Sequence, residues 1–244
     1  MPLRIKAFLL HLSGSLALAL LALALVFWVW YPAPLDKAVG VSHIFLLMLA
    51  IDVTLGPLLT LIVYKTDLKL LRIDLSIIIA IQLAVFGYGI YTIGAGRPAW
   101  IVYNVDRFDL VRIADIDTRK IAQATAEYRH IPWFGPGWVA ANAPADVNAN
   151  NDITFESVQG GPDLPQRPNL YQPLNTDLAQ IRQRAKPLDA LNLYNSTAQV
   201  QQTITKYPSA DGWLPLRSNA KNMTVLINKA SGAVIAVVDL RPWD

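Results

Sequence analysis

An aspartate lies at the middle of a long apolar stretch, followed four residues later by a Gly-Pro pair. The stretch is SHIFLLMLAIDVTLGPLLTLIVY, residues 42–64, and the three residues are Asp52, Gly56 and Pro57. A helix needs about 20 apolar residues to cross about 30 Å of hydrocarbon, so this stretch is long enough to span a bilayer. A carboxylate at its centre costs at least about 2.5 kcal/mol unless it is protonated, paired or turned toward protein. Asp52 therefore predicts a protein neighbour within the membrane.

The neighbour of Asp52 has two main interpretations. In the first, Asp52 accepts a partner helix, with Gly56 permitting close approach and Pro57 freeing a main-chain carbonyl one turn earlier. In the second, the aspartate makes a structural contact inside its own bundle, with one of three polar residues: Gln82, Thr54 or Tyr88. Proton or ion movement is a weaker third interpretation, because one acidic residue among three helices offers no pathway. The residues alone leave the first two open.

A second group of charges follows the last apolar stretch, in the segment VDRFDL and just beyond it. Its members are Asp106, Arg107, Asp109 and Arg112. Paired carboxylates can perform acid–base chemistry. The interleaved arginines, however, would keep both carboxylates ionised rather than raise a pKa. We therefore predict a structural cluster of ion pairs on a strand.

Several kinds of chemistry are excluded or disfavoured. The chain has no cysteine, which excludes disulfides and thiol nucleophiles, and its three histidines are scattered at positions 11, 43 and 130. We therefore expect no metal and no cofactor. No nucleophile elbow, phosphate-binding loop or dinucleotide fingerprint occurs, so an enzyme is not expected. No basic face or basic run exists, so nucleic acid is not expected as a partner.

The seven tryptophans offer candidate anchors for a protein partner. Tryptophan is among the residues most often found at the energetic centre of interfaces. We predict partner contacts at three of them: Trp100, Trp138 and Trp213. Some of the seven must instead lie in the core, and the sequence does not separate the two kinds.

The elements that position these residues begin with three membrane spans. The chain has 244 residues, 53% of them hydrophobic and 16% charged, which is too apolar for an ordinary soluble protein. We predict a three-helix transmembrane bundle in residues 1–97, with spans at about 8–31, 42–64 and 74–93. The first could be a cleaved signal peptide, but it is longer than one and ends in an aromatic belt with Trp28 and Trp30.

The charges of the short loops predict the orientation of the bundle. Residues 1–97 carry seven Lys/Arg and four Asp/Glu, which accounts for the whole net charge of +3. The N-terminal lead and the second loop, which includes Lys65 and Lys69, hold five of these cations, whereas the first loop holds one. By the positive-inside rule, the N-terminus is cytoplasmic and residues 98–244 lie on the far side of the membrane.

Residues 98–244 are long enough for a small α+β domain with its own core. We predict strands within 101–113, helices over 115–129, 176–186 and 196–207, and a mostly irregular segment over 130–175. The clearest element is a terminal β-hairpin, residues 223–228 and 233–240, with Gly232 at the turn.

Four segments together carry a family resemblance. They are FWVWYPAPL, HIFLLMLAIDVTLGPLLTLIVYK, GRPAWIVYNVDRFDLVR and WLPLRSNAKNMTVLINKASGAVIAVVDLRPW. The chain resembles the TfpX/TfpZ family of type IV pilin accessory proteins from about Leu3 to Trp243, least clearly over 130–210. The resemblance implies a protein of the Gram-negative inner membrane with a periplasmic C-terminal domain. It also implies help in pilus assembly or dynamics with the major pilin as partner, and it supplies no active site.

The resemblance and the residues together predict an inner-membrane accessory or chaperone protein that binds the major type IV pilin. The bundle would dock the pilin helix, with Asp52 accepting a polar or cationic group, and residues 98–244 would contact the pilin head. Other pilus assembly components and the lipid bilayer are further expected partners. The alternatives are a membrane-anchored periplasmic sensor for a small ligand and an enzyme acting on pilin. The first lacks a cytoplasmic output module, and the second lacks a cluster of catalytic residues.

Overall fold

The computed structural model describes residues 2–64 and 68–243, with side chains from Leu71 onward in the second range. The chain forms two compact units. The first consists of Met1–Val29 and Val41–Ala95, and the second of Trp30–Gly40 and Gly96–Asp244. The loop between the first two spans, expected within the membrane domain, thus packs in the second unit. Lys65 and the Lys69 side chain, which enter the orientation argument, lie outside this description.

The first unit is built from three long helices. Helix α1 (Leu3–Ala24) continues into a wider π-helical stretch (Leu25–Trp30), and a short helix α2 (Leu35–Val39) belongs to the second unit. Helices α3 (Val41–Val63) and α4 (Leu68–Ala95) complete the bundle. Stretches long and apolar enough to cross a membrane are Leu3–Trp30, Val41–Val63 and Leu71–Ala95, with mean hydropathies of 2.3, 2.3 and 2.0. The three-helix membrane bundle is therefore confirmed.

Helix α3 is the centre of the bundle, since both α1 and α4 pack against it. The Arg4 Nε donates to the Leu61 carbonyl oxygen at 2.5 Å, which joins the start of α1 to the end of α3. The two helices are consequently antiparallel. Pro57 lies inside α3, where its missing N–H leaves the carbonyl of the preceding turn without its helical donor.

The second unit is organised around one mixed eight-stranded sheet. Its strands are β1 (Pro98–Asn104), β2 (Arg107–Arg112), β3 (Gly137–Ala141), β4 (Tyr171–Pro173), β5 (Lys186–Pro187), β6 (Gly212–Arg217), β7 (Met223–Asn228) and β8 (Ala233–Val238). The order is β4-β3-β1-β2-β6-β7-β8, with β5 paired to β6. The β1–β3 and β2–β6 pairs are parallel and the others antiparallel. With three more helices, this sheet confirms the predicted α+β domain.

The core of the second unit explains why the first loop belongs to it. One cluster contains the sheet residues Tyr103, Phe108 and Leu214 together with Leu35 and Ala38 of α2. The Ala38 carbonyl also accepts the backbone N–H groups of residues 220 and 221. An amphipathic turn that buries two apolar side chains in this core is held there by the hydrophobic effect.

Gly40 ends α2 at the point of closest approach. Its φ is +79°, and a Cβ at this position would lie 2.8 Å from the Ala220 Cβ. Only glycine satisfies both the left-handed backbone and the short distance. This residue therefore fixes the path by which the chain returns to the membrane.

The strand predictions near the membrane and at the C-terminus are confirmed. The segment 101–113 forms most of β1 and β2, which pair as an antiparallel hairpin. The terminal hairpin is β7 and β8, with Gly232 at φ +78° in the turn. The helices predicted over 176–186 and 196–207 are also present, as α6 (Leu178–Arg184) and α7 (Thr197–Ile204). The Ser196 hydroxyl caps α7.

Of two other predictions for this domain, one was wrong and one was incomplete. The helix expected over 115–129 is a series of short 3₁₀ turns, Ile113–Asp115, Ile121–Gln123 and Ala126–Arg129. The Asp117 carboxylate accepts the Arg119 backbone N–H at 3.1 Å and so replaces a helical hydrogen bond with a local turn. The segment 130–175 lies mostly outside helices and strands, as expected, but it also contains three elements that were not predicted: β3, β4 and helix α5 (Val147–Val158), which the Asp146 side chain caps.

Candidate functional site

The Gln82 carboxamide of α4 is the hub of a polar cluster within the bundle. Its Nε2 donates to the Asp52 main-chain carbonyl at 2.9 Å and to the Ser15 hydroxyl at 3.1 Å. Its Oε1 lies 2.9 Å from His11 Nε2, and His11 Nδ1 lies 2.6 Å from the Thr60 hydroxyl. All three helices therefore meet through hydrogen bonds at one level of the membrane.

The direction of each hydrogen bond in this cluster can be assigned from the Asp52 main-chain carbonyl. A main-chain carbonyl only accepts, so the Gln82 amide nitrogen must face Asp52 and its oxygen must face His11. The His11 Nε2 consequently carries a hydrogen and donates it. In the neutral ring, Nδ1 then accepts from the Thr60 hydroxyl. The cluster is internally satisfied.

Gly56 makes the cluster possible. A Cβ at this position would collide with the Gln82 carboxamide. The glycine predicted as a point of close helix approach therefore receives a side chain of its own bundle. Pro57 lies beside it, buried on the same part of α3. Both residues shape the internal face of α3.

The Asp52 side chain is not part of this hydrogen-bonded network. Its Oδ2 is buried and has no hydrogen-bond partner among the residues that the structure describes. Of the three internal partners considered, Gln82 binds the Asp52 main chain, Thr54 donates to the Ala50 carbonyl at 2.7 Å, and Tyr88 is 72% exposed. A buried carboxylate oxygen without a donor is costly in a membrane.

A groove between α1 and α4 opens on the lipid-facing side of the bundle. Its volume is about 560 Å³. The polar residues at its base are His11, Ser15, Thr60 and Gln82, and its apolar walls include Leu18 and Leu83. Gly14 also lines it, and nothing lies within 4 Å of the place where a Cβ would stand. The bundle thus offers a groove with hydrogen-bonding groups at its base and apolar residues around it.

The charge cluster of the second unit divides into separate ion pairs. Asp109 is buried between Arg107 and Arg217, at 3.3 Å from each. Burial raises the pKa of the Asp109 carboxyl, and the two arginines oppose that shift. Arg112 pairs instead with Asp115 at 2.8 Å. Asp109 and Asp115 thus each have an arginine partner, an arrangement suited to holding β2 and β6 rather than to proton transfer. Asp106 is exposed between β1 and β2 and forms no ion pair with the described residues.

The tryptophans predicted as partner anchors lie largely inside the fold. Trp100 is buried, with its ring 5.8 Å from Tyr128 and 5.6 Å from Tyr171. Trp213 is fully buried and donates its Nε1 hydrogen to a main-chain carbonyl at 2.9 Å. Trp138 is half-buried against the core. The large aromatic side chains that are exposed in this unit stand elsewhere, at Trp133, Phe134 and Phe155.

Sequence reasoning missed an ion network that joins α5 to the turns before it. Arg167 is buried and contacts Glu156 at 2.6 Å and Asp117 at 3.6 Å. The exposed Arg119 contacts the same two carboxylates at 2.7 and 2.6 Å. The members are up to 50 residues apart in sequence, and no local pattern joins them. The network ties α5, through Glu156, to the irregular segments that contain Arg119 and Arg167.

This network predicts an acid-labile second unit. Hydrogen bonds from Arg119 lower the pKa of both Asp117 and Glu156, and Arg167 adds to the shift of Glu156. A carboxyl whose folded pKa is below its unfolded value stabilises the fold above the unfolded pKa, about 4. That stabilisation is lost as the pH falls through the folded pKa. The unfolding free energy, measured by guanidinium titration, should therefore fall below about pH 4.

The matched control for the acid prediction is Arg119→Gln. This variant removes the largest cause of both pKa shifts while leaving the buried arginine in place. Its unfolding free energy should depend less steeply on pH in the acid range. An unchanged acid slope would contradict the assignment to Asp117 and Glu156.

The residues available for a metal are few. Within residues 2–64 and 68–243, no three His, Asp or Glu side chains lie close enough to share a metal ion. His11 is engaged by Gln82 and Thr60. The polar groups of the membrane groove are bound to one another by hydrogen bonds.

Comparison with known proteins identifies the family. The family model described as "Fimbrial assembly protein FimB" matches residues 1–40. A fimbrial assembly protein of serogroup I from Dichelobacter nodosus is 34% identical over 237 residues, which are 93% of this chain and 92% of that relative. The chain belongs to the FimB family of fimbrial assembly proteins.

Two further relatives of this FimB family member come from the same organism. The serogroup E1 fimbrial assembly protein is 36% identical over 197 residues, covering 80% of this chain and 76% of the relative. The protein of serogroups C1 and C2 is 40% identical over 117 residues, covering 47% and 89%. No solved structure matches the chain. The broader part of the family resemblance, a fimbrial accessory protein, is thereby confirmed, and membership of TfpX/TfpZ stays a prediction.

Proposed function

We propose that this FimB family protein is a non-enzymatic accessory protein of the TfpX/TfpZ kind that binds the major type IV pilin in the inner membrane and assists its assembly into pili. The names of its relatives support the assembly role. The observation that carries the binding role is the lipid-facing groove between α1 and α4, with the His11–Gln82 pair at its base.

The groove suits a single transmembrane helix. Association of helices in lipid depends on close packing and on hydrogen bonds between them, because burial of apolar surface gives little advantage there. Gly14 and Ser15 on α1 allow close approach. The side-chain oxygens of Gln82 and Ser15 each accept one hydrogen bond within the cluster, so each keeps a lone pair for a donor on another helix. A pilin before assembly has one such helix in the membrane.

Asp52 does not line the groove, but it supplies a second polar group at the same level of the bundle. Its carbonyl is bound to Gln82 at 2.9 Å, so the carboxylate and the base of the groove belong to one polar layer. A donor from the pilin helix would pair the buried Oδ2, which lacks a hydrogen bond within the described residues. Pairing would remove a penalty of at least about 2.5 kcal/mol for a charge at the bilayer centre.

The second unit is proposed to lie in the periplasm and to contact the pilin head. The charge asymmetry of the loops supports this orientation. Helix α5 presents three exposed apolar side chains, Val147, Phe155 and Val158, on a unit whose other apolar residues are mostly buried. Such a surface suits a protein partner.

A photocrosslinking experiment in cells tests the groove. A photoreactive residue at Leu18 or Leu83, both lining the groove, should form an adduct with pilin, detected by blotting. The matched control is Leu20 of α1, which is exposed but does not line the groove. Equal adducts from Leu18 and Leu20, or none from either groove position, would contradict docking in the groove. A parallel probe at Phe155 tests the head contact independently.

A further inference from the structure

The segment HIPWFGP, residues 130–136, is an exposed aromatic loop of the second unit. Trp133 is 60% exposed and Phe134 is 79% exposed, and Ile131 is also exposed. Leaving large apolar side chains in water forfeits about 1.5–3 kcal/mol for each. Three exposed apolar side chains within four residues indicate a surface that contacts another molecule or the bilayer.

The base of this loop is held by Trp30 and Arg97, which lie at the ends of the first and third membrane spans. Arg97 lies over the Trp133 ring at 5.0 Å and over the Trp30 ring at 5.4 Å, and it donates to the Pro132 carbonyl at 3.1 Å. The Trp30 and Trp133 rings meet edge to face at 6.3 Å. The three residues form a stacked cluster within the second unit, and both of Trp133's partners are next to a span.

Chain geometry sets the height of this cluster above the hydrocarbon. Trp30 is the last residue of the first span, and Arg97 comes two residues after the third span, which ends at Ala95. Two residues extend at most about 7 Å. The headgroup region on each side of a bilayer is about 5–7 Å thick. Trp133, in contact with both residues, must therefore lie at the level of the lipid headgroups.

We propose that the aromatic loop is a membrane-interface anchor, with Phe134 and Ile131 in the acyl boundary and Trp133 at headgroup level. Tryptophan is enriched at this level because its ring is amphipathic. Arg97 suits the same position, since its guanidinium stacks on both tryptophans while the lipid phosphates are anions within its reach. The loop fastens the second unit to the bilayer at a point distinct from the three spans.

The absence of cysteine makes a direct test practicable. The full chain carrying Phe134→Cys would be spin-labelled and reconstituted in phosphatidylcholine–phosphatidylglycerol nanodiscs. Power saturation would then compare accessibility to oxygen, which concentrates in lipid, with that to a water-soluble nickel chelate. We expect the label at position 134 to be more accessible to oxygen than to nickel. Phe134 is largely exposed, so the label should not disturb folding.

The matched control is Leu193→Cys, an apolar residue of the same unit that is 76% exposed. Its label should be more accessible to nickel than to oxygen. The same accessibility ratio at both positions would overturn the anchor. So would a label at position 134 that is shielded from both reagents, since a protein and not lipid would then cover the loop. Crosslinking of pilin in the groove does not depend on this result.

Discussion

Replacing Arg167 by methionine should destabilise the second unit by about 3 kcal/mol. The side chain is 7% exposed and contacts Glu156 at 2.6 Å and Asp117 at 3.6 Å. Without it, the buried Asp117 carboxylate loses one of its two cations, and the Pro162 carbonyl loses its donor at 2.7 Å. Removing one member of a buried pair costs about 3–5 kcal/mol, and the remaining arginine, Arg119, places this case at the lower end.

The measurement is thermal unfolding of the detergent-solubilised protein, followed by tryptophan fluorescence. A loss of about 3 kcal/mol corresponds to a lower Tm by about 6–12 °C for a domain of this size. The control is Arg119→Met, which removes an arginine bound to the same two carboxylates but 58% exposed. Its Tm should change much less, because solvent screens exposed pairs. Equal losses from the two variants would contradict the distinction between the buried and the exposed arginine.

This network also shows where prediction from sequence ends. Hydrophobic runs and turn residues were enough to predict the three spans and the terminal hairpin, because both depend on local patterns. Helix α5 was missed because its asparagine-rich sequence has low helix propensity. Its stability comes from the Asp146 cap and from the contact of Glu156 with Arg167. The Asp146 cap could have been recognised from the local sequence, whereas the ion pair depends on the tertiary fold.

For a related reason, the sequence did not show that the tryptophans predicted as partner anchors lie largely inside the fold. Trp100 lies on β1, a strand that is buried along its whole length, so alternation gave no sign of which face it occupies. In the membrane bundle it is harder still to predict which residues face the protein interior. Lipid-facing and protein-facing positions are both apolar, so periodicity predicts the length of a span but not its rotation. Asp52 and Gln82 were recognisable as polar exceptions, but the contact of Gln82 with the main chain of Asp52, and the part of His11, were not.

Replacing Asp52 by leucine should separate stability from function. Leucine removes the buried Oδ2, which has no donor in the described part of the chain, and leaves the main-chain carbonyl that Gln82 binds. The bundle should therefore become more stable, by about 1–3 kcal/mol. Co-purification of pilin should be lost, because the donor on the pilin helix would then face an apolar side chain. The measurements are the Tm in detergent and pilin capture from solubilised membranes.

The control for this prediction is Thr54→Val on the same helix. Thr54 is exposed, and its hydroxyl donates to its own helix at Ala50, so the variant should keep both stability and pilin capture. If Asp52 were instead a structural residue of the bundle, Asp52→Leu would lower the Tm and leave captured pilin in proportion to the folded protein. A variant that is more stable and still captures pilin would remove Asp52 from the interface and leave the groove at His11 and Gln82 as the binding site. The two readouts together therefore distinguish a carboxylate kept for a partner from one kept for the fold.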